Sequence, residues 1–451
     1  MERLRELVKF LCDLNWNDLP ESVKSTSKLC TMDTIGVAMG ASKNEQVKKV
    51  TKMYLDVCPE SDDAEIWGAG QKVPLFAACF INGMMGHTLE LDDVHTDSKT
   101  HIGTVVIPAA WSMARYLGKT GKELLEAVVC GYETMARIGM ALGVTSHRNQ
   151  GWHVTSTAGT FGAAAACGKL LNLTEDQMVS ALGLAGTQSF GTWAFLEDGA
   201  TNKVLHPARA ADSGCQAALL AYAGMKGPEF ILTAEDGGLF YAMTGEPDPS
   251  KVSKGLNTEW EILNLDNKPY PCCRSTHCAI DGILALRSEE GIKAEDVDEI
   301  TVRTYLVGNK QCGMSEGSRK PKTPVEAKFS TPYTVAAALL YGKVSLEEFL
   351  PERITETVVQ DLLSRVKVET DDDFSRQYPT HWGCRVIVTC KDGKVVQKLI
   401  QDASGSAYQP LTVEQIRQKV IPLIEMGTGK NGSEIVEQIL SLESREVLPV
   451  M

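Results

Sequence analysis

No run of about 18 apolar residues, the length a membrane-crossing helix needs, occurs in this chain of 451 residues. The start, Met1-Glu-Arg-Leu-Arg-Glu-Leu-Val-Lys, also lacks the apolar core of a secretory signal and reads as an amphipathic helix. Positive charge is scarce: 45 Lys+Arg against 58 Asp+Glu leave a net charge of −13. Nucleic acids and anionic membranes both require clustered cations, so neither is an expected partner. The 13 cysteines include no Cys-x-x-Cys pair and are odd in number. That pattern predicts reduced thiols in a cytoplasmic protein, not a disulfide framework. Walker and His-Glu-x-x-His signatures are missing as well, and with them the usual grounds for expecting a nucleotide or a catalytic zinc.

What the chain does have is helical periodicity. Segments such as Glu123–Ile138 place apolar side chains at i, i+3, i+4 and i+7, and Thr174-Glu-Asp-Gln reads as a helix cap. Gly159-Thr-Phe-Gly-Ala-Ala-Ala-Ala-Cys-Gly-Lys-Leu-Leu has no polar face to offer water and belongs at the centre of a bundle. Its small residues would permit close approach to a ligand or to another subunit.

The pattern changes near residue 256. Glu259–Leu265 alternates with period two, and Asp298–Val307 reads as a strand. His277–Arg287 is a helix, and Cys384–Cys390 with Val395–Ile400 form a hairpin about an Asp-Gly turn. The acidic run Glu369–Phe374 is a solvated turn. Helical periodicity resumes after Gln409 and predicts a tail that packs back on the first domain. The expected fold is mainly α, with residues 1–255 and 404–451 forming a large helical domain and residues 256–403 an inserted α+β domain.

Two short motifs fail on context. Gly427-Thr-Gly-Lys-Asn-Gly432 joins two helices, whereas a dinucleotide fingerprint follows a strand. Gly313-Met-Ser-Glu-Gly317 lies in a polar loop with no strand running into it.

Four clusters hold the polar chemistry. Gly86–Gly103 carries His87, Glu90, Asp92, Asp93, His95 and His101, suited to proton transfer, to metal binding, or to capping a helix. His153, in Gly-Trp-His-Val-Thr-Ser-Thr, opens the small-residue helix. It is either a ligand contact or a hydrogen-bonded core histidine. Lys203, His206 and Arg209 concentrate cationic groups before another small-residue helix, an arrangement suited to a di- or tricarboxylate. Lys268-Pro-Tyr270-Pro-Cys-Cys-Arg274-Ser-Thr-His277 is a proline-stiffened loop running onto a helix, with Arg274 as a bidentate carboxylate clamp. Solvated surface cations are the plain reading of both basic clusters. The cysteines and His277 of the last one match no metal-binding spacing.

Together these motifs resemble the MmgE/PrpD family. The resemblance rests on Glu90-Leu-Asp-Asp-Val-His with the later His101-Ile-Gly and Val-Ile-Pro-Ala-Ala. It also rests on Gly-Trp-His153, Lys203-x-x-His206, Lys268-Pro-Tyr-Pro-Cys-Cys-Arg274-x-x-His277 and Ala327-Lys-Phe-Ser. The family includes 2-methylcitrate dehydratase, cis-aconitate decarboxylase and iminodisuccinate epimerase. Membership implies a helical domain from both chain ends, a smaller lid domain, a homodimer, and an active site between the domains that needs no cofactor and no metal. It also implies that His101, His153, Lys203 and Lys268 match catalytic or substrate-binding positions. Glu90 stands where the family motif begins with Asp, and Val94 where the decarboxylases carry Thr.

The expected activity is therefore a lyase acting on a citrate-like polycarboxylate, most simply a dehydratase, with decarboxylation and epimerisation as alternatives. Proton transfer is assigned to His101, His153, Lys203, Glu90 and Asp93. Substrate binding is assigned to Lys268, Tyr270, Arg274, His277 and His206. Two other classes stay open: a metal-dependent hydrolase using Asp92, Asp93, His95 and His101, and a helical scaffold without activity.

Overall fold

Cap chemistry sets where the helices begin. In the computed structural model, which describes residues 2–197 and 199–451, Thr120 and Thr174 each accept the backbone N–H three residues on and receive a reciprocal Glu123 or Gln177. The helices Gly121–Ala141 and Glu175–Thr187 start there. Met1, expected at the head of the first helix, and Asp198, five residues before Lys203, lie outside the described residues. The chain is mainly α. Among the described residues its strands form one four-stranded sheet and two short two-stranded ladders. None of the described helices is long and apolar enough to cross a membrane.

Two compact units divide the chain. The first is Met1–Trp193, Val204–Asn267 and Thr412–Met451. Its centre is the small-residue helix Gly159–Leu170, buried nearly all round as its composition requires. Neighbouring helices close in at glycines. A Cβ on Gly162 would stand 2.7 Å from Met135 Cβ, and one on Gly214 would stand 2.5 Å from Ala163 Cβ. Small side chains here serve helix packing, which favours near contact of backbones. The tail returns as the helix Val413–Thr428, with Val420 pressed on Gly36 of the helix Glu21–Gly40.

The second unit is Ala194–Lys203 and Lys268–Leu411. Its sheet runs in the order Val366–Thr370, Val297–Thr304, Cys384–Cys390, Val395–Ile400, the first pair parallel and the others antiparallel. Alternate residues of Cys384–Cys390 are buried. The helix His277–Glu289 covers that face, with Gly282 against Val386. The expected hairpin is present, and Gly393 takes a positive φ of 89° in its turn.

Three local differences from the sequence reading have physical causes. Glu259–Leu265 is not a continuous strand. Glu261–Leu263 forms a 3-10 turn, and only Leu265–Asp266 pairs, antiparallel with Val94–His95. That ladder and the Thr96 hydroxyl on Asp266 (2.9 Å) hold the chain to the helical unit as far as Asn267, beyond the expected 255. Residues 194–203 pack instead with the second unit, where Phe195 meets the Phe329 ring at 6.5 Å. Ser404 N–H donates to Asp281 (2.6 Å) and Tyr408 lies 4.7 Å from the His381 ring, which keeps 404–411 there too. The acidic run after Val366–Thr370 is a helix start, with Asp371 capping Asp372–Gln377.

A fully buried ion pair holds residues 254–262 onto the helical unit. Arg137 donates to Glu133 (3.1 Å), to Glu259 O (2.8 Å) and to Lys254 O, while Glu133 accepts from Ile262 N–H (3.1 Å). Burial pushes the Glu133 carboxyl up to about 7 against the pull of Arg137. Removing one member of such a pair costs about 3–5 kcal/mol. Arg137→Leu should therefore lower the thermal midpoint by about 3–5 °C, read by circular dichroism.

Candidate active site

Four of the chain's 8 histidines lie in a row within the first unit. Successive ring centroids of His87, His101, His153 and His206 are 4.6, 6.4 and 5.0 Å apart. His87 comes from the last turn of the helix Leu75–Thr88, and His101 from the segment just before the helix Gly103–Leu117. His153 precedes the turn Val154–Thr157, and His206 is in the first turn of Leu205–Tyr222.

Asp92 organises the first two. Its Oδ2, fully buried, lies 2.7 Å from His87 Nδ1 and 2.8 Å from His101 Nδ1. His101 Nδ1 is also 3.1 Å from the carbonyl of Asp93. Two acceptors at one nitrogen place the proton on Nδ1 and make Nε2 the basic nitrogen of His101. Glu90 Oε1 lies 3.7 Å from His87 Nε2. Glu90 follows the helix end with a positive φ of 59°, a conformation that costs a non-glycine residue about 1–3 kcal/mol and gathers at functional sites.

Asp93 is turned elsewhere. It accepts from the Tyr132 hydroxyl (2.7 Å) and from Gly103 N–H (2.9 Å), so it caps the helix that follows His101. His95 is likewise engaged, with Nδ1 2.9 Å from Ser98 Oγ and Nε2 3.2 Å from Glu261. The metal set Asp92, Asp93, His95 and His101 is therefore not assembled. The ligand-type atoms that do come together belong to His87, Asp92 and His101, within 4.8 Å of one another. Those three residues could hold a divalent cation, but as found their nitrogen–oxygen separations are those of hydrogen bonds. The sequence placed His87 and Asp92 in the polar cluster but gave neither a role in the lyase reaction. Nothing in the pair Asp92-Asp93 says which carboxylate faces the histidines, since that depends on the backbone between two helices.

His153 and His206 form a second pair, Nδ1 to Nδ1 at 2.7 Å, both buried. One proton lies between two nitrogens, so the rings hold opposite tautomers. Trp193 (4.6 Å) and Phe190 (6.1 Å) flank them. His153 N–H donates to Gly191 O (3.0 Å). Gly191 has a φ of 96°, and a Cβ there would strike Ser156 Oγ at 2.1 Å, so this support requires glycine.

The remaining candidates belong to the second unit. Lys203 is buried in the turn Thr201–Val204, its Nζ 5.0 Å from the Phe329 ring centroid. Lys268 is fully buried and Arg274 nearly so, the guanidinium 5.9 Å from the Trp382 ring. The surface reading of these cations fails. Tyr270 donates to Asp281 (2.6 Å), and burial with that carboxylate drives its hydroxyl far above the ordinary range. His277 Nε2 lies 3.3 Å from the Cys272 carbonyl. Tyr270 and His277 thus brace the loop that carries Lys268 and Arg274.

Burial pushes the Asp93 carboxyl from 3.8 up to about 7, partly countered by Tyr132 and Gly103. Below about pH 4 the group is neutral folded and unfolded, and its stability contribution is complete. As pH rises to 7 only the unfolded chain ionises fully, so stability falls by up to about 1.4 kcal/mol per pH unit. Asp93→Asn should flatten that decline in the thermal midpoint between pH 4.5 and 6.5.

Comparison with known proteins gives this geometry a family. Residues 5–251 match the MmgE/PrpD N-terminal domain, and residues 270–442 match the MmgE/PrpD C-terminal domain. A cis-aconitate decarboxylase-like protein of Aspergillus oryzae is 28% identical over 97% of this chain and 94% of its own length. A cis-aconitate decarboxylase of Aspergillus terreus is 27% identical over 97% and 92%. A 2-methylcitrate dehydratase of Cupriavidus necator is 21% identical over 88% and 84%. The chain belongs to the MmgE/PrpD family and is an enzyme of the lyase type.

Proposed function

We propose that this lyase acts on a citrate-like polycarboxylate by making or breaking a bond to a carbon next to a carboxylate. The observation that carries the reading is the file of four buried histidines with His101 fixed by Asp92. A carbanion-like centre beside a carboxylate delocalises into a dianion, which fixed cations stabilise better than water does. Lys203, Lys268 and Arg274 are the groups we assign to the substrate's carboxylates. His101, with its proton held on Nδ1, moves a proton through Nε2. His153 is the complementary donor, and Glu90, held in a costly conformation beside His87, tunes the pair. Asp93 serves by fixing the helix start after His101. Tyr270 and His277 serve by shaping the cationic loop.

Decarboxylation of a cis-aconitate-type acid is favoured over the dehydration that the motifs alone suggested. The decarboxylases are more similar, at 26–28% against 21%, and the match covers more of the chain. The protein is expected to work as a homodimer in the cytoplasm without a cofactor.

The test is proton NMR in deuterated water with cis-aconitate, citrate, 2-methylcitrate and amino-dicarboxylates. Loss of carbon dioxide from cis-aconitate with deuterium entering the product is the expected outcome. Loss of water instead selects the dehydratase, and deuterium exchange alone selects an epimerase. His101→Gln should lower kcat by roughly 10²–10⁴ with KM little changed, and full turnover would remove it as the base.

His206 was expected to bind substrate, but its contact with His153 supports a positioning role. His206→Asn should then lower kcat by about tenfold or more and shift its pH profile, with KM within threefold of the parent. A rise in KM alone would return His206 to substrate binding.

A further inference from the structure

Two groups of thiols touch one another among the described residues, where every cysteine is free. Cys79, Cys167 and Cys215 are neighbours inside the helical unit, all fully buried. The other pair is different. In the second unit the side chains of Cys273 and Cys312 are neighbours, with Cys312 buried and Cys273 partly open to solvent.

Independent contacts hold the two segments side by side. Ser275, two residues after Cys273, donates to Gln311, the residue before Cys312, at 3.0 Å. Tyr305 donates to Ser275 at 2.8 Å, so the loop is moored to the helix Leu306–Cys312 along its length. Cys273 N–H donates to Lys328 O (2.9 Å). Cys272 is committed elsewhere, buried with its sulfur 3.2 Å from Thr276 Oγ1. The next residue after Cys273 is Arg274, one of the cations assigned above to substrate.

We propose that Cys273 and Cys312 are a redox modification site, a dithiol that closes to a reversible disulfide when exposed to a peroxide and switches the enzyme off through Arg274. The partly open Cys273 reacts first, because attack needs an accessible thiolate. Its sulfur displaces one oxygen of hydrogen peroxide, giving Cys273 sulfenic acid and one water. The Cys312 sulfur then attacks that sulfur. The S–O bond breaks, the S–S bond forms, and the leaving hydroxide takes the Cys312 proton as a second water. Two thiols lose two electrons and the peroxide gains them. A disulfide requires about 2.05 Å between sulfurs and a fixed dihedral. Closing to that distance draws Cys273 toward the helix Leu306–Cys312 and shifts Arg274 with it. Thiol–disulfide exchange with a dithiol restores both thiols.

The modification stands apart from the proposed reaction, and only its effect on turnover rests on that reading. The full-length protein is treated with hydrogen peroxide, alkylated, digested with trypsin and analysed by mass spectrometry. The expected product links the peptide ending at Arg274 to the peptide 311–319, at the same yield in Cys272→Ser and absent in Cys273→Ser. Turnover of the substrate found by NMR should fall at least tenfold on oxidation and return with dithiothreitol, while Cys312→Ser resists this inactivation. A bridge between Cys272 and Cys273, or no bridge at all, overturns the proposal, as does a bridged enzyme of undiminished turnover. Failure of every polycarboxylate to react would instead overturn the functional reading and leave the peptide result to decide the disulfide.

Discussion

A single oxygen atom, Oδ2 of Asp92, is the point on which the arrangement of the first two histidines depends. It is sealed from water, and a sealed carboxylate persists only where donors surround it. Here two imidazoles supply them, from His87 and His101. This satisfies the buried oxygen and at the same time orients both rings and selects their tautomers. The next residue works in the same direction by a different route. Asp93 ties Tyr132 to the first turn of the helix Gly103–Leu117, so the backbone leaving His101 is fixed within two residues of the ring.

Polar groups at such depth need a rigid surround, and close-packed helices supply it. Gly162 and Gly214 let the helices around Gly159–Leu170 approach until their backbones nearly touch. A core of large side chains would hold the helices further apart and leave more rotameric freedom around the histidines. The small-residue run that looked open to a ligand is therefore part of the frame.

Much of the helical frame was legible because its signals are local. Thr174 and Gln177 announce a helix start by chemistry confined to four residues, and the Asp-Gly turn specifies its hairpin in the same way. The site was legible in part. His101 and His153 stood out and do share one file of rings. What could not be read was orientation. Adjacent Asp92 and Asp93 are the same residue type, yet one faces imidazoles and the other a helix end. His95 and Tyr270 have the chemistry of active residues but are engaged by Glu261 and Asp281, the first 166 residues along the chain and the second on the helix that follows the loop. The alternation over Glu259–Leu265 misled for a similar reason, since Glu261 is drawn to His95 and Ile262 N–H to Glu133.

The contact between His153 and His206 carries one more consequence. Two rings joined nose to nose through one hydrogen behave as a single reservoir with two outlets. A hydrogen ion taken up at the far nitrogen of the ring that holds the shared hydrogen lets that hydrogen cross to the neighbour, whose own far nitrogen can then release one. The hydrogen ion thus crosses the pair with no solvent molecule between the rings, which suits chemistry whose anionic intermediate stray water would quench.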